Sequence, residues 1–243
     1  MYKKMSFPKI SRTIDKDQET IKIQFLTESL ELILEREKCT GCGTCARVCP
    51  KEAISRGPVA AARRFPTTEE IIPNLYDPHK CVYCGTCVYM CPFSALKMKK
   101  DGELIELDNL QLVKEKALPK LEFEAKKIKD DKGIERVVKQ YTKAEVSVVD
   151  KECAGGCQAC ADVCPSGAIT IPPKTQKGWE TVPNVVVDPD ECIACGACDN
   201  ACPTGAIKLK ITEVKSSGKY SELFWVPLVE RIKTLRWSEK KEE

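Results

Sequence analysis

Sixteen cysteines stand among the 243 residues, and they fall into four sets of four with none left over. Cys39, Cys42, Cys45 and Cys49, followed by Pro50, read C-x2-C-x2-C-x3-C-P, and Cys81, Cys84, Cys87 and Cys91 with Pro92 repeat that spacing. Cys192, Cys195, Cys198 and Cys202 with Pro203 give a third copy, while Cys153, Cys157, Cys160 and Cys164 with Pro165 carry one extra residue in the first gap. Thiolates are soft ligands, and four of them at this spacing suit a [4Fe-4S] cubane better than a zinc ion. A zinc site favours cysteine pairs about 15 to 20 residues apart, or a mixture of cysteine and histidine. Here the one histidine, His79, lies in a polar Asp-Pro-His-Lys turn and reads as solvated and idle. Three closely spaced cysteines can reach three corners of one cube, while the cysteine before proline points away along its helix.

The elements that must position these ligands are themselves repeated. Each prolyl turn continues into a similar phrase, CPKEAI, CPFSAL, CPSGAI or CPTGAI, which makes Ile54, Leu96, Ile169 and Ile207 equivalent. Charged turns precede three of the sets, as DPHKC, DKEC and DPDEC. Each unit is therefore predicted to run strand, turn, cysteine loop, short helix, prolyl stop and second short strand. The helix carries the third and fourth cysteines and ends at the proline, which cannot donate the next backbone bond. Gly41, Gly43, Gly85 and Gly196 allow positive φ, so that peptide N–H groups can point at sulfur and raise a cluster's reduction potential. Tyr83, Tyr89, Met90 and Phe93 read as apolar packing around the second set.

Composition narrows the setting. A formal net charge of +3, with Lys and Glu mixed along the chain, makes neither nucleic acid nor an acidic membrane surface the expected partner. No run of 18 apolar residues is present, and the start MYKKMSFPKISRT lacks the apolar stretch of a signal peptide. A soluble, cytoplasmic protein is expected, in which cysteines serve as metal ligands rather than disulfides. Scarce Asn and Gln with abundant Lys and Glu hint weakly at a warm habitat. No Gly-rich phosphate loop, nucleophile with a plausible base, histidine pair or open metal site is legible, so no catalytic site is expected in the chain itself. Four oxidised clusters with their thiolates, at about −2 each, would turn the net charge to roughly −5.

Three segments lie outside the cysteine units. Residues 1–36 alternate apolar positions at Ile21, Ile23 and Phe25, then at Leu30, Leu32 and Leu34, which predicts a strand and a second extended or helical segment. Residues 100–147 are rich in Lys and Glu and read as a linker, either a pairing arm or a partly helical spacer. In 212–243, Tyr220, Phe224, Trp225, Leu228, Ile232 and Leu235 stand near helical spacing, with Pro227 expected to start the helix. With Trp237, they suggest a tail that docks on another subunit.

The cysteine spacing resembles that of bacterial-type two-cluster ferredoxins, twice over, across residues 37–99 and 148–211. The resemblance implies an α+β fold of two tandem bacterial ferredoxin-like modules with N-terminal, central and C-terminal extensions. It implies four [4Fe-4S] clusters with crossed ligation: Cys39, Cys42, Cys45 and Cys91; Cys81, Cys84, Cys87 and Cys49; Cys153, Cys157, Cys160 and Cys202; Cys192, Cys195, Cys198 and Cys164. Modules of this size bury little apolar surface, so the chain without iron is expected to be largely unfolded. Cys153-x3-Cys157-x2-Cys160 also matches the signature of radical S-adenosylmethionine enzymes. Cys164-Pro165 in register and Cys202 as a fourth ligand favour a ferredoxin loop, with Gly155 and Gly156 absorbing the extra residue as a bulge. The phrases SRGPVAAARRF and CPFSALKMKKDGELIEL and a Pro-Lys-Leu-Glu stretch make the whole chain similar to methanogen-type polyferredoxins, notably the polyferredoxin subunits of formylmethanofuran dehydrogenases. It is shorter than those, with four cluster sites. The resemblance implies an electron-transfer subunit of an anaerobic oxidoreductase complex, whose partners are a catalytic tungsten or molybdenum subunit, further subunits and a soluble electron donor or acceptor. Subunits of other molybdopterin oxidoreductases or hydrogenases, and a free-standing polyferredoxin carrier, are the alternatives.

Overall fold

The computed structural model describes residues 7–56, 74–129, 133, 135–173 and 183–233. Most of SRGPVAAARRF, together with Leu235 and Trp237, lies outside the described residues.

The N-terminal segment folds as predicted for its alternating half. β1 (Lys9–Ile14), β2 (Gln18–Gln24) and β3 (Ser29–Glu35) form an antiparallel meander, joined after the second cysteine set by β6 (Leu96–Lys100) and β7 (Glu103–Leu104), in the order β1-β2-β3-β6-β7. The second apolar run is thereby a strand. Register places Ile21 opposite Leu32, Leu32 opposite Met98 and Leu34 opposite Leu96, so one sheet face delivers a buried row to the cysteine loops. These strands are part of the first module's core.

The cysteine helices are single turns. In the first module they are α1 (Thr44–Val48) and α2 (Thr86–Tyr89), flanked by β4 (Ile54–Arg56) paired with β5 (Asn74–Tyr76). The second module repeats the plan with α4 (Ala159–Asp162), α5 (Ala197–Ala201) and the pair β12 (Ile169–Thr170) and β13 (Val186–Val187). Its outer strands, β11 (Thr142–Val148) and β14 (Ile207–Val214), pair antiparallel as β3 and β6 do. Helix, short sheet and outer sheet therefore recur in both halves, the α+β arrangement that the repeat predicts.

The segment between the modules is no free spacer. A 3-10 turn (Leu107–Asn109) leads to α3 (Gln111–Lys114), and β8 (Lys120–Leu121) pairs with β15 (Ser216–Ser217). β9 (Glu124–Lys129) and β10 (Glu135–Gln140) form a hairpin before β11. Side chains lock this path to the first module. The Tyr89 hydroxyl donates to the Pro119 carbonyl at 3.0 Å and accepts from the Leu121 N–H at 3.1 Å. The buried Tyr141 hydroxyl donates to the Met90 carbonyl at 2.6 Å.

Two expectations for the tail are corrected. Helix α6 (Glu222–Lys233) begins well before Pro227, which sits inside it and withholds one backbone donor. Its buried face, Trp225, Leu228 and Ile232, is seated in this chain's own core against α1 and β14, not against another subunit. The apolar surface was available nearby: one buried cluster runs through both modules, and burial of a tryptophan there removes a large apolar area from water. Arg231 completes the contact by donating to the Cys49 carbonyl at 2.8 Å.

Candidate metal centres

Left-handed backbone positions shape each cysteine loop. The residue before the second cysteine, Gly41, Tyr83, Gly156 or Ala194, has positive φ in all four sets. The residue after it, Gly43, Gly85 or Gly196, is left-handed in three sets and caps the following helix. In the third set that place is taken by Gln158 at φ −109°. The extra residue therefore lies ahead of Gly156, and the turn immediately before Cys157 is preserved. Gly85 is doubly constrained, because a Cβ there would come 2.7 Å from Leu110 Cδ2.

After each prolyl turn comes another left-handed residue, Glu52, Ser94, Gly167 or Gly205. It reverses the chain so that the next amide faces the fourth cysteine. Ala53 N–H donates to Cys49 Sγ at 3.2 Å and Ala95 N–H to Cys91 Sγ at 3.4 Å. At Cys202 burial pushes the thiol up, but the N–H groups of Ile207, Thr204 and Ala206, with the Thr204 hydroxyl, bring it below its ordinary range. Hydroxyls also approach sulfur: Thr44 Oγ1 lies 3.4 Å from Cys42 Sγ and Thr86 Oγ1 3.4 Å from Cys84 Sγ. Ser166 Oγ is 3.7 Å from Cys164 Sγ, and Thr204 Oγ1 3.6 Å from Cys202 Sγ.

The cysteines gather across the sets. One hollow is lined by Cys81, Cys84 and Cys87 together with Cys49. A second is lined by Cys192, Cys195 and Cys198 together with Cys164. Cys45 is pushed well up by burial and then by Cys39, Cys42, Cys87 and Cys91. Burial likewise raises Cys160, with Cys202 and Cys153 adding to it. Cys157 directly precedes Gln158, the residue that caps α4, and is half-buried. The neighbours Cys87 and Cys91 join the first two groups.

The two modules meet at Cys42. Cys195 is raised by burial first and then by the Cys42 sulfur of the other module. Asn200 Nδ2 donates to the Cys42 carbonyl at 2.7 Å, which joins the helix of the fourth set to the loop of the first.

A family model described as a 4Fe-4S dicluster domain matches residues 38–95 and 131–206. The chain belongs to the 4Fe-4S dicluster domain family. Its second match begins at residue 131, so the domain takes in strands of the segment read as a linker. Among solved structures, this dicluster protein is similar to a chain of the formate dehydrogenase–heterodisulfide reductase–formylmethanofuran dehydrogenase complex from Methanospirillum hungatei. Identity is 28%, over 94% of this chain and 92% of that one, with a TM-score of 0.77. Among curated proteins none matches.

The donor sets of this dicluster protein fit iron-sulfur clusters. Among the described residues, no three His, Cys, Asp or Glu side chains form a group able to hold a single metal ion. The hollows with four sulfurs on their walls suit a larger body. Burial and then neighbouring thiols push Cys45, Cys87 and Cys198 up, and a positively charged iron core would reverse that balance. The expected packing residues Tyr83, Tyr89, Met90 and Phe93 are all buried, and His79 is exposed with its N–H bonded to Asp77 Oδ1 at 3.0 Å. Sequence reasoning named Tyr89 as packing but passed over its equivalents two residues after the other third cysteines, Arg47, Asp162 and Asn200. That position differs in chemistry in every copy of an otherwise regular repeat, which was a signal that each copy uses it for a different contact. No helix among the described residues is long and apolar enough to cross a membrane.

Proposed function

We propose that the chain is an electron-transfer subunit of an anaerobic oxidoreductase complex, most specifically of formylmethanofuran dehydrogenase, where carbon dioxide is reduced. Four [4Fe-4S] clusters would be held by Cys39, Cys42, Cys45 and Cys91; by Cys81, Cys84, Cys87 and Cys49; by Cys153, Cys157, Cys160 and Cys202; and by Cys192, Cys195, Cys198 and Cys164. When bound, such clusters take up and release single electrons, linking a soluble donor or acceptor to a tungsten- or molybdenum-bearing catalytic subunit. The observation that carries the reading is the hydrogen bond from Asn200, on the helix of the fourth cysteine set, to the Cys42 carbonyl of the first, within one buried core shared by both modules. The likeness over nearly the whole length of a chain from the M. hungatei complex supports the setting. Around each group the chain supplies amide and hydroxyl donors to sulfur and excludes water with Ile21, Leu32, Ile54, Ile169 and Ile207. The chain's own role is thus to hold and shield its clusters, the chemistry on carbon falling to a partner.

Anaerobic purification from native cells without dissociating salt, followed by mass spectrometry and a metal assay, tests this. Co-elution with a tungsten or molybdenum subunit and formylmethanofuran activity is expected. Elution as a lone iron protein would instead establish a mobile carrier. That second reading gains from the seating of Trp225 in the chain's own core, since this face of the tail needs no partner to cover it.

A further inference from the structure

Arg47 is a charged side chain only 4% exposed, carried on α1 between two cysteines of the first set. Its Nη2 donates to Thr44 Oγ1 at 3.2 Å, and Thr44 Oγ1 in turn lies 3.4 Å from Cys42 Sγ. A hydroxyl that accepts from a guanidinium on one lone pair keeps its own hydrogen for the sulfur, and donates it more strongly because the cation polarises it. The Arg47 Nε and Nη1 atoms meet no hydrogen-bond partner among the described residues. A buried cation is costly unless an anion lies close to it. Burial, then Cys42 and Cys91, push the Tyr141 hydroxyl up while Arg47 draws it down, so the guanidinium lies near members of one thiol group. The equivalent helix positions hold Tyr89, Asp162 and Asn200, none of them a cation.

We propose that Arg47 is a positioning residue that raises the electron affinity of the site built on Cys39, Cys42, Cys45 and Cys91, making it the most easily reduced of the four. Reduction adds one negative charge beside a fixed positive one, and the Arg47–Thr44–Cys42 chain of hydrogen bonds strengthens with that charge. The site lies beside the inter-module hydrogen bond from Asn200 to the Cys42 carbonyl, so an electron passing between the modules would come to rest there. This rests on the cluster assignment proposed above.

The test uses the full-length iron-loaded chain, with iron and sulfide content measured and each midpoint followed by potentiometric EPR. Arg47→Met is expected to keep its iron and to lower the highest midpoint by about tenfold in reduction equilibrium, about 59 mV for one electron. Arg47→Lys is expected to recover most of that shift, which a role in packing alone would not produce. Full iron with unmoved midpoints in Arg47→Met, or a shift in Arg47→Lys as large as in Arg47→Met, overturns the proposal. Should Arg47→Met lose its iron, Thr44→Val decides: a fall in the same midpoint supports the proposal and an unchanged one refutes it. Cys42→Ala, run alongside, separates the two levels of the argument. Loss of the highest-midpoint signal ties it to this site, whereas full iron with every signal intact removes the cluster assignment and the proposal with it.

Discussion

In the first module the strand that precedes the cysteines, β3, lies inside a five-stranded sheet, whereas its counterpart β11 in the second pairs with β14 alone. Cys42, Cys45, Cys49 and Cys87 are buried in the first module, against Cys160 and Cys198 in the second. Leu110 closes over Gly85, which follows the second cysteine of its set, while among the described residues nothing lies within 4 Å of where a Cβ on Gly156, which precedes the second cysteine of its own set, would stand. One ligand plan is thus supported by polypeptide in one half and left more open in the other. The comparison teaches that the cysteine spacing specifies a cluster site without specifying how firmly protein alone holds it. The second module is therefore expected to be the half whose order depends more on its clusters.

The largest effect expected is that of removing a crossed ligand. Cys49→Ala should deplete the group built on Cys81, Cys84 and Cys87, and Cys164→Ala the group built on Cys192, Cys195 and Cys198, each by about four irons per chain. Hydrogen exchange of the two variants sharpens the contrast, since β3 and β6 should stay protected in Cys49→Ala while β11 and β14 lose protection in Cys164→Ala. Equal loss in both would erase the difference between the modules. Loss confined to the group built on Cys39, Cys42 and Cys45 in Cys49→Ala would break the crossed assignment.

A smaller effect is expected at the loop glycines. Gly85→Ala combines left-handed strain of about 1–2 kcal/mol with the approach to Leu110, so it should destabilise the chain more than Gly156→Ala, which meets strain alone. Denaturant melts of the iron-loaded variants measure the gap, and equal midpoints would remove the role given to Leu110.

The smallest effect comes from the turn after the prolyl stop, where the first module places Glu52 and the second Gly167 in the same left-handed conformation. Glu52→Gly should stabilise by about 0.5–1 kcal/mol and Gly167→Ala should destabilise by about 1 kcal/mol. Melts in which both substitutions shift stability in the same direction would show that this turn is not equivalent in the two modules.

Much of the site was legible because the repeat was. The cysteine spacing, the prolyl stops and the equivalent residues Ile54, Leu96, Ile169 and Ile207 all announce two modules, and the alternation from Ile21 to Phe25 announces β2. The tail misled for a physical reason: near-helical spacing of Trp225, Leu228 and Ile232 reports an apolar face but carries no information about which surface covers it. Nothing in the cysteine spacing singled out Arg47 or Asn200, since a side chain two places from a ligand gains its meaning from what lies opposite.

The sequence by itself determined the ligand groups' local shape, because three cysteines so closely spaced, with glycines and a prolyl stop at fixed offsets, leave the backbone few conformations. It determined the number of candidate sites and their pairing into modules on the same ground. Only the tertiary structure decided the bond from Asn200 to the Cys42 carbonyl and the return of α6 onto α1. Asn200 and Cys42 stand 158 residues apart in the chain, and Arg231 and Cys49 182 apart. Contacts at such separations depend on how whole surfaces fit together within one core, and no local periodicity encodes that fit.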